Sequence, residues 1–252
     1  MLVLSAMLLC GCAESDPYRR FEPGATLDVS TARLTDAYNQ RWPMQFKTVQ
    51  TVTIDFGPVT RTFNALLIIQ QPGKFRLQGM TEQGIKVFEI VHSDGRDSVI
   101  FKADEMSEKT SASISRDIQR VFLNRLVGKA ESSRGSKYHM LETNTVESTQ
   151  RVMLFGGRGS TWQDEWHVTE KRDAWVDRME QSDRDGRSFC YACFEWREPR
   201  NQQEALQGLF YPSVIVLHDS GRESKSYPYK LTIKITELTV RETPWPERTF
   251  KP

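Results

Sequence analysis

Residues 65–77 read ALLIIQQPGKFRL, and this stretch decides the fold class. An apolar run is followed by the turn sequence QPG at 71–73, after which Phe75 and Leu77 alternate with polar neighbours. Alternation with a period of two is typical of a strand that buries one face, and a proline–glycine pair between two such runs indicates a tight turn. The stretch therefore predicts two antiparallel strands joined by a short connection.

Further strands flank this pair on both sides. Upstream, Val52, Ile54 and Phe56 are predicted to share one face of a strand. Downstream, the turn sequences at 82–84 and 93–95 each contain a glycine and separate two more strands. The first half thus predicts an antiparallel meander with one buried face. Its strands are predicted over residues 46–56, 59–71, a third that carries Phe75 and Leu77, 85–92 and 98–103.

A helix is predicted after the fifth strand. Ser113 is placed to cap its start and Gly128 to end it, while Arg116 and Arg120 point away from its apolar face. That face is formed by residues at helical spacing: Ile114, Ile118, Val121, Phe122 and Leu126.

The second half predicts more strands around polar connections. Residues 229–235 alternate clearly, and the phase then slips at Leu238 and Val240, which predicts a one-residue bulge. The other predicted elements are an edge strand within the polar stretch 129–150, strands over 151–156 and 214–217, a hairpin of 174–179 with 187–196 around Asp185-Gly186, and short helices over 34–41 and 202–209.

The N-terminus predicts export and lipidation. Residues 1–11 are apolar and uncharged, as in a signal peptide, although a buried strand is the alternative interpretation. The sequence LCGC at 9–12 resembles a bacterial lipobox, which implies that Cys12 carries acyl chains such as palmitate and anchors the chain to a membrane. Ala13 resembles an outer-membrane sorting signal, so the expected location is the cell envelope, at the outer membrane facing the periplasm. Residues 12–30 are expected to form a tether and residues 31–252 a single domain.

Net charge gives no reason to expect nucleic acid as a partner. The 252 residues carry a formal charge of +1, whereas nucleic-acid binding domains concentrate positive charge on one face. Export and lipidation make the membrane and other envelope proteins the expected partners.

Several segments together carry a family resemblance: 68–77, the turn at 93–96, the run 212–217 that leads through Gly221 to 229–235, and the closing segment 245–250. Their arrangement resembles the LolA/LolB-like envelope proteins, which include lipoprotein-sorting carriers and lipid-sensing periplasmic domains. The resemblance implies an α+β fold in which a curved antiparallel sheet forms an incomplete, half-open β-barrel and a helix covers an apolar cavity. One departure is the turn at 81–84, which is polar where the LolB acceptor has a protruding loop with an exposed leucine.

The implied cavity would hold acyl chains against inward-facing apolar residues. A fully packed core requires the same alternation, so the sequence leaves both interpretations open. The predicted ligand-binding residues are Val52, Ile54, Phe75, Leu77, Phe88 and Ile90 on the sheet, with Ile118, Val121 and Phe122 on the lid helix.

No residue pattern predicts catalysis, a metal or a cofactor. Cys190 and Cys193 have CxxC spacing but lie in a strand-like run, so a structural pair, a strained disulfide and a redox site are the alternatives in that order. The cluster DEWH at 164–167 is predicted to be a solvated loop, and GGRGS at 156–160 a flexible turn. The sequence therefore favours a non-enzymatic outer-membrane lipoprotein that binds lipid or lipoprotein acyl chains. The alternative is a scaffold or subunit of an outer-membrane assembly with a filled core.

Overall fold

The computed structural model of the chain describes residues 42–104, 106–123, 136–144, 149–157, 162–169, 175–183, 186–199, 210–220 and 228–252. For the strands between 136 and 188 the backbone pairing is described. The predicted signal peptide, Cys12, the tether and the short helices over 34–41 and 202–209 lie outside the described residues.

The first half forms the predicted meander. Burial alternates along the first three strands and produces one apolar face, which is the pattern that the sequence predicts. The fourth strand is instead buried on both faces over residues 88–92, and the fifth is largely exposed. The strands are β1 Gln45–Asp55, β2 Thr60–Gln70, β3 Lys74–Met80, β4 Lys86–Ser93 and β5 Arg96–Lys102. Phe56 follows β1 and is 39% exposed, so it does not share the burial of Val52 and Ile54.

The second half contributes further antiparallel strands. They are β6 Ser136–Asn144, β7 Thr149–Gly157, β8 Trp162–Thr169, β9 Trp175–Asp183, β10 Gly186–Arg197, β11 Tyr211–Asp219 and β12 Tyr229–Val240. The predicted edge strand and the β9–β10 hairpin are confirmed. The prediction of a loop at 164–167 is wrong, because the backbone of these residues lies within β8 and pairs with β7 and β9.

All described strands belong to one 12-stranded sheet of order β5-β4-β3-β2-β1-β12-β11-β10-β9-β8-β7-β6. The last strand therefore returns to pair with the first and joins the two halves. In the described residues β5 and β6 remain at opposite edges, so the sheet is curved but not closed. This is the half-open α+β architecture predicted from the sequence.

The predicted bulge in the last strand is confirmed. Val49 pairs with Glu237 and Gln50 with Ile235, which leaves Thr236 as the extra residue. The hydroxyl of Thr236 donates to the Val49 carbonyl oxygen at 2.9 Å. The bulge returns Leu238 to the buried face, where it is fully buried.

The helix α1 covers Glu108–Ile118 and continues as a π-helical segment over Gln119–Leu123. The prediction that Ser113 caps it is wrong. Ser107 is the cap, and its hydroxyl oxygen accepts a hydrogen bond from the Thr110 amide at 3.1 Å. The first turn has no apolar residue, so the apolar periodicity gives no sign of it. The predicted end at Gly128 lies outside the described residues.

The convex side of the sheet is covered in part by the C-terminal segment. A 3₁₀-helical turn at Glu247–Phe250 places the Phe250 side chain in a buried position. Beneath it, buried Glu89 accepts hydrogen bonds from Arg76, Gln78 and Lys86. Arg76 also donates to the Thr249 carbonyl oxygen at 3.0 Å, which ties this segment to the sheet.

Candidate ligand cavity

The concave face of the sheet has two ends with different side chains. One row of paired residues crosses β1 to β4 as Phe46, Ile69, Phe75 and His92. A second row crosses the same strands as Gln50, Ala65, Gly79 and Phe88. The first row is built from large side chains, whereas the second has alanine and glycine at its centre.

Large aromatic rings fill the first end, which we call the packed end and define by Trp42, Phe46, Phe75 and Phe122. The Trp42 ring lies 5.4 Å from that of Phe46 and 4.8 Å from that of Phe122, measured between centroids. Phe75 stacks on His92 at 5.3 Å. Each of the four defining side chains is at most 4% exposed, so this end is a conventional core.

The second end, which we call the hollow end, encloses a cavity of about 320 Å³ above the row that contains Ala65. This volume is in the range of small-molecule sites. The floor and walls are mainly apolar side chains of the sheet: Val52, Ile54, Leu77, Phe88, Leu231 and Ile233. Exposed Phe56 and Lys109 also border the cavity and mark its mouth.

Gly79 makes room for the wall of the cavity. A side-chain Cβ at this position would lie 2.2 Å from Cε1 of Phe88. With glycine, the Phe88 ring can lie against the backbone of β3, where it also meets the Phe63 ring edge-on at 5.5 Å. The glycine therefore keeps the ring against the sheet.

The lid helix is fastened over the packed end. Trp42 Nε1 donates to the Val121 carbonyl oxygen at 3.1 Å, and Gln71 Nε2 donates to the Phe122 carbonyl oxygen at 2.7 Å. These bonds satisfy carbonyl groups in the π-helical segment, where the regular helical pattern ends. The preceding part of α1 extends over the cavity.

Two lines of side chains on α1 face the cavity. Thr110, Ile114 and Ile118 are spaced four residues apart and form one line, which ends apolar. A second line is polar throughout: Lys109, Ser113 and Asp117. Residues at this spacing lie one above the other on a helix, so the roof of the cavity carries a polar strip beside an apolar one.

Asp117 is the most unusual residue of this roof. It is 3% exposed and lines the cavity. Its Oδ2 accepts a hydrogen bond from the Tyr229 hydroxyl at 2.5 Å, while Oδ1 has no hydrogen-bond partner in the part of the chain that the structure describes. Burial raises the pKa of Asp117 to about 7, in opposition to the Tyr229 hydrogen bond.

Charged residues surround this pair from two elements. Arg116 and Arg120 of α1 reach buried Asp219 at the end of β11, at 3.4 and 3.3 Å. Arg120 also lies over the ring of Phe189, 4.2 Å from its centroid. Both arginines lie off the apolar face of the helix, as the sequence predicts, and their contacts connect α1 to the second half of the sheet.

The structure divides the predicted ligand-binding residues between the two ends. Val52, Ile54, Leu77, Phe88 and Ile118 line the cavity. The other four, Phe75, Ile90, Val121 and Phe122, are buried in the core without lining it. Strand alternation gives the face on which a side chain lies, whereas its position along the strand decides which end it joins.

Sequence reasoning missed the polar strip and Gln50. Asp117 and Ser113 were not singled out as site residues, although the 109–113–117 spacing was available as a signal. Gln50 lies on the buried face of β1, is 1% exposed and lines the cavity, with its Oε1 accepting from the Thr48 hydroxyl at 3.2 Å. A polar residue in phase with Val52 and Ile54 was the corresponding signal on the strand.

The CxxC pair lies in β10. Cys190 pairs with His218 and Cys193 with Ile215, and the ladder between them has no register shift. A local disulfide would require a bulge or turn between residues three apart on a strand, and the ladder shows none there. The Cys193 side chain is buried.

The described residues hold neither a metal-binding cluster nor a membrane-spanning helix. They contain no group of three or more histidine, cysteine, aspartate or glutamate side chains arranged to hold a metal ion. Among them, no helix combines the length and the apolar composition needed to span a bilayer.

No family model matches the chain, and it matches none of the curated proteins in sequence. Solved structures are similar to it to different degrees. A LolA superfamily protein, NE2245 from Nitrosomonas europaea, superposes with a TM-score of 0.56 at 9% identity, covering 89% of this chain and 98% of that one. A Vibrio parahaemolyticus domain assigned to outer membrane lipoprotein sorting gives 0.49 at 8% identity, covering 87% and 94%. A DUF1329 family protein from Desulfovibrio piger gives 0.45 at 11% identity, covering 86% and 94%. The superposition on NE2245 shows that the chain has a LolA-like fold, as its sequence pattern suggested.

Proposed function

We propose that this chain is a non-enzymatic envelope lipoprotein that binds acyl chains of lipids or lipoproteins in the hollow end. The observation that carries the proposal is the cavity of about 320 Å³ beneath α1, with its mainly apolar lining. Each methylene transferred from water into such a site contributes about 0.8 kcal/mol. A chain of several methylenes would therefore be held without any covalent step.

The geometry of the lid supports binding and release through the hollow end. The carbonyl groups of Val121 and Phe122 are held over the packed end, whereas the Ser107 end of α1 is exposed. The LolA-like fold is consistent with the proposal, since NE2245 is placed in the LolA superfamily by name.

The test is native mass spectrometry with lipid extraction on the full-length chain purified from membranes. We expect bound lipid or fatty acid in the wild type and its loss in Ile114→Asp, which places a charge on the cavity roof. Val99→Asp is the matched control, because Val99 is 43% exposed on edge strand β5. An apo mass in the wild type, with no uptake of added lipid, would contradict the proposal.

Membrane anchoring through Cys12 is part of the proposal and needs its own test. Cys12 would be acylated after removal of residues 1–11, and the anchor would hold the domain at the outer membrane facing the periplasm. We expect metabolic labelling with palmitate to mark the wild type and not Cys12→Ser. Labelling that persists in Cys12→Ser would contradict lipidation at this residue.

A second function is favoured by the edge of the sheet. Val99, Ile100 and Phe101 are consecutive in β5 and are 43%, 37% and 43% exposed. An exposed apolar edge strand is a surface on which another protein can add a strand. A subunit of an envelope assembly would crosslink to its partner at this edge, and Phe101→Lys would abolish the crosslink without changing lipid content.

A further inference from the structure

The roof of the hollow end contains a feature that binding of a plain hydrocarbon does not require. Asp117 lies in the roof of a cavity whose lining is mainly apolar, and its Oδ1 has no hydrogen-bond partner among the described residues. A buried oxygen without a donor is costly, so it marks a place where a donor from outside the protein would be stabilised. The hydroxyl of Ser113, one helical turn earlier, extends the polar strip toward the exposed end of the helix.

We infer that Asp117 is a head-group site, at which the cavity selects a single-chain amphiphile whose polar end is neutral and donates a hydrogen bond, such as a hydroxyl or an amide N–H. The inference rests on the proposed function, because the rest of the molecule must occupy the apolar part of the cavity. The donor would bind Oδ1 of Asp117, while Tyr229 keeps Oδ2 occupied.

The charges around Asp117 favour a neutral head group over an anionic one. Asp219 of β11 adds a second carboxylate, but Arg116 and Arg120 are directed to it. Lys109 lies two helical turns before Asp117 on the polar strip and is exposed at the mouth of the cavity, where water screens its charge. From β12 the facing group is Tyr229, whose pKa is raised by burial and by the Asp117 carboxylate, so that it stays protonated and donates. An ionised fatty-acid carboxylate at Oδ1 would meet the Asp117 carboxylate directly and be repelled.

The size of the cavity indicates the chain length. A volume of about 320 Å³ holds roughly ten groups of the size of a water molecule, at about 30 Å³ each. Because a methylene is similar in size, a chain of roughly ten carbons is the appropriate probe. Three probes then differ only in the head group: decan-1-ol, its methyl ether 1-methoxydecane, and decanoic acid.

The experiment measures the dissociation constants of these three probes with the full-length chain by isothermal titration calorimetry. We expect decan-1-ol to bind about tenfold or more tightly than 1-methoxydecane, because only the alcohol donates a hydrogen bond to the buried carboxylate. In Asp117→Asn the preference should fall to about threefold or less, since the acceptor is then neutral. Glu108→Gln is the matched control: it makes the same charge change on an exposed side of α1 and should leave the preference intact.

A second variant separates binding by Asp117 from its role in holding the helix. Tyr229→Phe removes the helix-to-sheet hydrogen bond but keeps the carboxylate. It should retain the preference for the alcohol. If Tyr229→Phe and Asp117→Asn lose the preference equally, Asp117 acts through helix position and the head-group site is refuted.

The pH dependence gives an independent readout. Asp117 has a pKa of about 7, so its acceptor strength grows across neutral pH. From about pH 5.5 to about pH 8.5 the affinity for decan-1-ol should rise by about tenfold, while that for decanoic acid should fall. Parallel slopes for the two probes would overturn the inference.

The outcomes also distinguish the two proposals. If none of the three probes binds, the cavity does not take acyl chains and the proposed function itself fails. If all three bind equally, and equally in Asp117→Asn, the cavity takes chains but Asp117 selects no head group, and only the inference fails.

Discussion

The packed end and the hollow end share the four strands β1 to β4, yet one is full and the other is not. At the packed end, paired residues are Phe46, Ile69 and Phe75, and the lid helix adds Phe122. At the hollow end the pairs bring Ala65 beside Gly79, and the lid leaves a cavity. Strand alternation is identical in both places, so side-chain volume decides which end becomes a core.

The two ends also differ in how they contact the lid helix. The packed end holds the lid through hydrogen bonds from Trp42 and Gln71 to helix carbonyls. Over the hollow end, α1 carries the polar strip of Lys109, Ser113 and Asp117, and packing alone does not require polar residues there. We conclude that stability is concentrated at one end and that the proposed binding site occupies the other.

The largest expected difference between the two ends is in the free energy of unfolding that is lost when a phenylalanine is replaced by alanine. Phe75 and Phe88 lie on adjacent strands and are 0% and 2% exposed. Phe75→Ala should lower the free energy of unfolding by about 3–5 kcal/mol. Phe88→Ala should cost roughly half as much, because part of its ring borders the cavity and has fewer packing partners. Urea denaturation of both variants measures the contrast, and equal losses would mean that the hollow end is packed like a core.

The loss of stability at acidic pH should come from Glu89 on the convex face. It should not change the difference in stability between the packed end and the hollow end. Burial alone would raise the pKa of Glu89, but hydrogen bonds from Lys86, Gln78 and Arg76 outweigh it and lower the pKa from 4.5 to about 2. The unfolded chain therefore takes up this proton first as the pH falls. The stabilisation is complete above the unfolded-state value of 4.5 and is lost as the pH falls toward about 2.

A shift of this size corresponds to about 3 kcal/mol, since one pKa unit is about 1.4 kcal/mol. In Glu89→Gln the acid-dependent loss between pH 4.5 and pH 2 should shrink by about that amount, as judged by urea denaturation across this range. Binding of decan-1-ol near neutral pH should not change. A loss of binding in Glu89→Gln would show that the convex face and the cavity are coupled.

Gly79→Ala should affect the hollow end alone. The added Cβ would meet the Phe88 ring at 2.2 Å, so the ring must move away from the sheet and into the cavity. We expect a loss of about 1–3 kcal/mol in unfolding free energy, as for other overpacked sites, together with weaker binding of decan-1-ol. Gly84 is exposed, has a φ of +83° and does not border the cavity. Gly84→Asn is therefore a control in which binding of decan-1-ol should persist. Unchanged binding in Gly79→Ala would contradict the assignment of Phe88 to the cavity wall.

The last expected effect is on the pH dependence of stability through Asp117, and its sign is opposite to that of Glu89. Its pKa is raised from 3.8 to about 7, so the folded state holds this proton more tightly than the unfolded state. The associated stability is present below pH 3.8 and is lost as the pH rises through about 7. The free energy of unfolding of Asp117→Asn should therefore rise relative to that of the wild type by more than about 1 kcal/mol between these two pH values. Denaturation curves at a series of pH values measure this gain, and a constant difference across the series would contradict it.

Much of the fold could be predicted from the sequence because it depends on alternation and turns. The strands around Gly73, Gly84 and Gly95, and the bulge at Thr236, follow from local patterns. The start of α1 could not be predicted in this way, because its first turn is capped by Ser107 and contains no apolar residue. The strand β8 was missed because its charged and aromatic residues look like a loop when no neighbouring strand is known.

The candidate site was predicted less well than the fold. Leu77 and Phe75 have the same alternation and lie on the same strand, but only Leu77 lines the cavity. Their difference depends on which residues they meet across the sheet and under the helix. Asp117 was missed for a related reason, since a carboxylate on a helix is usually solvated and its burial depends on Tyr229, which lies more than a hundred residues away in the chain.

A crystal structure of the full-length chain grown with 10-bromodecan-1-ol would show directly whether the hollow end binds an acyl chain. Anomalous scattering locates the bromine without reference to the protein. We expect a bromine peak inside the hollow end, among Val52, Leu77 and Phe88, with the hydroxyl group at Asp117. A peak found only on the exposed edge strand β5, or a hollow end closed by inward movement of α1 with no bromine in it, would show that the hollow end does not bind the chain.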